Sequence, residues 1–410
     1  MLWAVSLCRL MLAATLIFSG FVKAVDPKGM FYKANAYFAH WNAPFADDSV
    51  LLMAGVVTLA VIEFMLGIYL LLGIRSRFTT QATLVFMGCM TAVTAYVFLF
   101  NPVPDCGCFG TALTLTNGET LVKNIVLLLA AIVVALRRRY LLRLISERNQ
   151  WITSFCALTY IILLNLYAIH YLPPIDFTPF SVGTDIRKAY TAPTAATPAA
   201  LIGFSCSTEK GEDVTDSLLR RQGYTFLLTL PDPASADDGC NDRINDIYDA
   251  CTDSRQAFLA VVPYGTGRQT VNEWIDRTGA AYTFLLADGD QLKAMVRSNP
   301  GLFLLKDGVV IGKWSNNDLP DLSGGFSAAT LSQSASSRLS LLKVILCFLI
   351  PVAAVILADR LWIGSKFYRQ HIFRQRLKKQ FEHEKENRSR QLEDEQDPAR
   401  RPGPGQGAQR

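Results

Sequence analysis

Six apolar runs organise this chain, at residues 4–24, 50–74, 80–100, 120–136, 151–171 and 339–361. Each approaches the roughly 20 residues that a helix needs to cross a bilayer. The fourth is the shortest and stops at Arg137-Arg138-Arg139. Residues 1–148 therefore read as a four-helix membrane domain with short connections, and 149–172 as a fifth membrane helix. Residues 173–337 are polar, with short apolar segments between turns. Residues 338–363 form a sixth membrane helix, and 364–410 a charged tail. Within that tail, 366–395 reads as a helix near the membrane, and the Gly/Pro-rich end RRPGPGQGAQR as disordered.

The segment 173–337 has the pattern of an α/β domain. Pro173 to Pro198 reads as an extended linker. Strands are expected at 201–205, 224–230, 256–262 and 282–286, and helices at 217–222, 240–250, 271–278 and 288–296. Gly301–Leu305 and Val309–Trp314 flank Asp307-Gly308, a strong hairpin signal. Ile244, Ile247 and Tyr248 share one face of the 240–250 helix.

The chain is 50% hydrophobic and 18% charged, which sets it apart from soluble proteins of its length. The charges also orient it. Arg75 and Arg77, the Arg137–Arg148 cluster, and Lys366 with the basic residues after it fall on one side if every run crosses. Cytoplasmic loops collect Lys and Arg, so that side, with both termini, is cytoplasmic. Residues 25–49, the loop after the third run and 172–337 then face the periplasm of a bacterial inner membrane. The net charge of +5 is largely this topology signal and gives no argument for nucleic acid. Val22-Lys23-Ala24 loosely fits a signal-peptide cleavage site, but no basic region precedes the apolar run and Arg9 lies inside it.

The candidate chemistry lies in Asp105-Cys106-Gly107-Cys108-Phe109-Gly110, between the third and fourth runs. Two cysteines one residue apart close a disulfide only in a bent backbone, which Gly107 permits. Strained, exposed disulfides are the exchange-prone kind. Thiol redox chemistry at Cys106 and Cys108 is thus the first expectation. A soft-metal pair or a structural clip is the alternative, although two ligands leave a metal shell incomplete. Glu63 lies inside the second run, where a carboxylate needs a partner. Lys123 and Lys23 are both candidates. Thr83, Thr91 and Thr94 read as helix–helix contacts. Cys8, Cys89, Cys156 and Cys347 lie within apolar spans and read as small membrane-buried residues.

Several of these segments resemble the DoxX-like membrane proteins, and among them the methylamine-utilisation MauE family. They are Arg9-Leu-Met with Leu16 to Pro27, Glu63-Phe-Met-Leu-Gly-Ile with the basic turn at Arg75 and Arg77, Pro104 to Thr111, and Thr120-Leu-Val-Lys-Asn124. The resemblance covers about residues 1–140. It implies a role in maturing disulfide-rich periplasmic enzymes, with Cys106 and Cys108 as the residues of interest.

The soluble segment resembles the thioredoxin fold. Asn299-Pro300, just before the hairpin, stands where that family has a cis-proline beside its redox cysteines, which implies client binding there. The family's Cys-x-x-Cys becomes Asp237-Asp238-Gly239-Cys240. Asp237 replaces the attacking cysteine, and Cys240 is a possible second thiol with a pKa lowered by a helix N-terminus. Cys240 and Cys251 stand about 16 Å apart along one helix. One disulfide among Cys206, Cys240 and Cys251, plus an odd buried thiol, is the simplest expectation. Exchange of one of them with Cys106 or Cys108 is the alternative.

Two functions follow. One is a membrane thiol–disulfide redox or maturation protein serving a periplasmic client or redox partner. A quinone is a possible electron partner, although no quinone motif is present. The other is a non-enzymatic assembly factor whose redox-inactive soluble domain binds by shape. A transporter would have broken helices, and the first four runs contain no internal proline. Four histidines make a His-based metal site unpromising.

Overall fold

The computed structural model describes residues 2–45, 49–103, 106–141, 143–322 and 341–396. Pro104, Asp105, the 323–340 segment and the Gly/Pro-rich end lie outside the described residues.

Six helices among the described residues are long and apolar enough to cross a membrane. The first five are α1 (Leu2–Val25), α3 (Val50–Leu72), α4 (Ser76–Phe100), α5 (Asn117–Leu136) and α6 (Gln150–His170). The sixth lies in the long helix Leu341–Gln396. Between α1 and α3 runs a shorter helix, α2 (Pro27–His40). Residues 25–49 are thus not a plain loop. Asp26 accepts a hydrogen bond from Gly29 N, and Pro27 occupies the first turn, where a missing N–H costs nothing.

Glycines let α1 and α3 approach closely. A Cβ on Gly20 would lie 2.5 Å from Phe64 N, and one on Gly67 would lie 2.7 Å from Ile17 N. In a bilayer, small residues permit the packing that hydrophobicity alone cannot drive. Arg9, buried within α1, donates to the carbonyls of Leu70 and Leu71, both 2.7 Å away. It thereby binds carbonyls of the last turn of α3, where Leu70 O also accepts from Gly73 N at 3.3 Å. Between α4 and α5, Asn124 donates to Thr94 Oγ1 at 3.2 Å, and Thr91 Oγ1 donates to Asn124 O at 3.4 Å.

The polar segment folds around one six-stranded mixed sheet, ordered β1-β4-β3-β2-β5-β6. The strands are β1 (Cys206–Ser207), β2 (Tyr224–Thr229), β3 (Ala257–Pro263), β4 (Thr283–Ala287), β5 (Gly301–Lys306) and β6 (Val309–Ser315). The pairs β2/β3 and β3/β4 are parallel, whereas β5 runs antiparallel to β2 and β6. Alternate residues face opposite sides. Phe226 and Leu228 pack with α10 (Asn241–Asp253) and α11 (Arg268–Thr278). Leu227, Val261 and Leu285 pack on the other face with Ile186 of α7 (Ile186–Thr191), Leu201 of α8 (Ala199–Ile202), Leu218 of α9 (Thr215–Arg220) and Leu292 of α12 (Gly289–Met295).

Two expectations are corrected here. Residues 173–198 are not an extended linker. Phe180 and Ile186 are fully buried, and backbone bonds from Gly183 N to Val310 O and from Val310 N to Thr184 O tie the segment to β6. Residues 201–205 are not a strand. Pro198 opens the helical turn α8, and Leu201 and Phe204 bury against the sheet, so β1 begins only at Cys206.

Candidate thiol site

The loop after α4 is shaped by residues with positive φ: Asn101 (φ 47), Gly107 (φ 66) and Gly110 (φ 56). Gly107 O accepts from Gly110 N at 2.9 Å, closing a tight turn around Cys108 and Phe109. Glycine reaches this conformation without a steric cost. The turn brings Cys106 Sγ and Cys108 Sγ to 3.2 Å as unbonded thiols.

The pair is buried rather than exposed, correcting the sequence-based picture. Cys106 is 8% and Cys108 9% accessible, packed against Tyr37, Tyr96, Val97 and Val103. Tyr37 belongs to α2, and its hydroxyl donates to Cys106 O at 3.2 Å. The cover therefore comes from a helix that the apolar pattern does not reveal.

Lys23 anchors the loop from below. Its ammonium donates to Ser19 Oγ (2.7 Å), Glu63 Oε2 (2.8 Å) and Cys108 O (2.6 Å). Ser19 Oγ donates to the same Cys108 carbonyl at 2.8 Å. Ser19 and Lys23 sit four residues apart and so share one face of α1. Lys23 and Glu63 are 1% and 2% exposed, and all three donors of the ammonium are used. Of the two candidate partners of Glu63, the structure places Lys23 in contact. Lys123 instead sits 4.1 Å above the Phe109 ring, whose other neighbour is Phe18 at 5.3 Å.

The two thiols differ electrostatically. The hydrogen bond between the two sulfurs, with the positive charges of Lys123 and Lys23 and against the cost of burial, lowers the Cys108 pKa to about 7. The same hydrogen bond, with burial, pushes Cys106 far above the ordinary thiol range. The charges of Lys123 and Lys23 thus favour a thiolate at Cys108. Alkylation of Cys108 by N-ethylmaleimide is expected to rise with pH through a midpoint near 7, because only the thiolate reacts. Lys123→Met moves that midpoint upward. Mass-resolved alkylation from pH 5 to 10 checks both, and a midpoint near 9 in the unaltered protein refutes the assignment.

Asp26 joins this loop to the sheet domain. Its carboxylate accepts from Thr111 Oγ1 at 3.1 Å, three residues past Cys108, and from Gly29 N at 2.8 Å. It also pairs with Arg297 Nη2 at 3.1 Å, with both side chains under 10% exposed. Arg297 stands two residues before Asn299, and the Asn299-Pro300 bond is cis. Lys33 of α2 donates to Gly110 O at 3.0 Å. Ser19, Asp26, Tyr37 and Arg297 went unnoticed in the sequence. Asp26-Pro27, a helix-start signature, was the available signal for two of them.

The remaining cysteines do not join the pair. Cys206 lies in the core on one face of the sheet, whereas Cys240 and Cys251 lie on the other. The sheet separates Cys206 from the other two, and Cys240 and Cys251 stand toward opposite ends of α10, so the expected disulfide is absent and all three are free. Cys240 is also not acidic. Burial and the nearby Asp237 push its pKa up to about 11, outweighing the helix N-terminus. Burial pushes Cys206 and Cys251 up to about 12. Asp237 caps its own loop instead, accepting from Gly239 N (2.9 Å) and Asn316 Nδ2 (2.6 Å). Among the described residues, no group of three or more His, Cys, Asp or Glu side chains is placed to hold a metal ion.

Neither a curated protein nor a solved structure matches the chain. A family model does: residues 1–137 match that of Methylamine utilisation protein MauE. The match spans α1 to α5 and includes the cysteine loop, Lys23 and Glu63. Residues 1–137 of this membrane protein are thus similar to the MauE family.

Proposed function

We propose that this protein exchanges electrons between its Cys106/Cys108 dithiol and the disulfide of a periplasmic client, as part of maturing a protein of methylamine utilisation. The observation that carries this reading is the thiol pair itself, 3.2 Å apart, with one sulfur acidified by the other and by two lysines. Buried structural cysteines are inert; a thiolate stabilised by cations is a nucleophile.

In the proposed cycle the Cys108 thiolate attacks one sulfur of the client disulfide. A mixed disulfide forms and the other client sulfur leaves as a thiolate. Cys106 then gives up its proton and attacks Cys108 Sγ. The Cys106–Cys108 disulfide forms and the second client thiolate leaves. Two electrons have passed to the client. A dithiol or quinol donor restores the pair. The same steps reversed oxidise a client dithiol, with a quinone in the bilayer as acceptor, and the client's potential sets the direction. Access to the buried sulfurs requires α2 to shift, and α2 is tied to the sheet domain through Asp26 and Arg297.

The sheet domain is read as a thioredoxin-like platform that presents the client near Asn299 and Pro300. The order β3-β2-β5-β6, with a parallel first pair and an antiparallel hairpin, supports that reading. Asp237 and the weakly acidic Cys240 leave it without a nucleophile of its own. The loops carrying Cys106/Cys108 and the sheet domain are placed at the periplasmic face of an inner membrane, as the basic residues indicate.

The test is a pair of variants in membranes. Cys106→Ser is expected to accumulate a mixed disulfide at Cys108, visible by non-reducing electrophoresis and mass spectrometry. Cys108→Ser is expected to form none and to lose client exchange. The second reading, a non-enzymatic assembly factor, draws on the burial of the pair. It predicts full client maturation in Cys108→Ser.

A further inference from the structure

A second site lies away from the cysteines. There α2, the C-terminal end of α6 and the sheet domain enclose a cavity of about 260 Å³. Lys28 and Tyr32 line one side, and Asp232, Ser298 and Asn299 another. Two polar groups in its lining lack partners. Lys28 is half-buried, and among the described residues no atom ion-pairs or hydrogen-bonds with its ammonium. Burial lowers its pKa, more than the charge of Asp26 raises it. Asp26 is already committed to Arg297, Thr111 and Gly29. Asn299 Oδ1 is buried with no donor, while its Nδ2 donates to Asp232 O at 2.7 Å. The Asp232 carboxylate is turned into its own loop, accepting from Ala234 N at 3.2 Å and Ser235 Oγ at 2.6 Å.

A half-buried ammonium with no ion-pair partner gains from an anion, and a buried acceptor without a donor is costly. A ligand that brings an anionic oxygen and a neighbouring N–H answers both. The cavity is smaller than the roughly 300–1,000 Å³ of drug-sized pockets, so it suits one side chain rather than an extended molecule. We propose that this cavity binds the carboxylate of an acidic peptide residue or chain terminus, with Lys28 as its counter-ion and Asn299 Oδ1 accepting the adjacent peptide N–H. The inference rests on the reading of the sheet domain as the surface that presents a client near Asn299; the thiols take no part, so the binding test stands or falls apart from the exchange reaction.

The experiment uses the full chain in nanodiscs, with thermal unfolding followed against the capped peptide acetyl-Gly-Glu-Gly-amide, its Gln counterpart and sodium acetate. The Glu peptide is expected to raise Tm saturably, with affinity about tenfold or more above the Gln peptide, as a charge-assisted hydrogen bond requires. A response to acetate equal to that of the Glu peptide supports the carboxylate site and assigns it to free acids. A response confined to the Glu peptide assigns it to polypeptide. Lys28→Met is expected to abolish the response and to leave Tm of the unliganded protein equal or higher. A Lys28→Met variant that still responds, one that unfolds earlier without ligand, or no response to any carboxylate overturns the proposal.

Discussion

Replacing Lys23 with methionine lowers the stability of the membrane module by about 3–5 kcal/mol, the usual cost of stranding one partner of a buried ion pair. Glu63 is left in the bundle interior with no counter-ion, and the Cys108 carbonyl loses its shortest donor, at 2.6 Å. The double change Lys23→Met with Glu63→Leu regains most of the loss, because no stranded charge remains. Lys23→Met also moves the alkylation midpoint of Cys108 upward, since Lys23 is one of the cations that lower its pKa. Denaturant unfolding in nanodiscs with parallel alkylation reads both effects. A Lys23→Met protein that unfolds at the unaltered denaturant concentration contradicts the role given to this pair.

Asp26→Ala is the second large effect. It leaves Arg297 buried and uncompensated, a loss of about 3–5 kcal/mol, and removes the N-cap of α2, worth about 1 kcal/mol more. Hydrogen exchange rises in 27–40 and in 289–300 together, and Cys108 is alkylated faster because Tyr37 no longer holds its cover in place. Gly29→Ala provides a test of sign. Alanine in a helix is ordinarily about 1 kcal/mol better than glycine. Here its Cβ would stand 2.1 Å from Asp26 Oδ2 and 2.8 Å from Arg297 Nη2, so it destabilises by forcing the ion pair apart. A more stable Gly29→Ala protein rules out the close contact.

Much was legible from pattern alone. The apolar runs are long and continuous, and helices of that kind declare themselves by length, as α3 and α4 do. The strands β2, β3 and β5 are runs of Phe, Leu and Val between turn residues, and Asp307-Gly308 marks the hairpin between β5 and β6. The sequence also singled out Cys106 and Cys108, because an i,i+2 cysteine pair around glycine has little other use. What misled was local chemistry whose outcome depends on distant groups. Cys240 at a helix start reads as acidic, but burial outweighs the helix terminus. Phe180 and Ile186 sit in a Pro-, Thr- and Ser-rich stretch that reads as linker, yet each finds a place in the core.

The sequence by itself determined the membrane character of this protein, the alternation of its sheet domain and the choice of Cys106 and Cys108 as the candidate thiol pair, because these rest on composition and short-range spacing. Only the tertiary structure decided that Lys23 meets Glu63, that Tyr37 covers the thiols, that Lys23 binds the Cys108 carbonyl, and that Asp26 joins the cysteine loop to Arg297. Each of those depends on groups tens to hundreds of residues apart, such as the 271 between Asp26 and Arg297. A buried charge specifies that it must have a partner, but which partner is fixed only when the helices and the sheet pack.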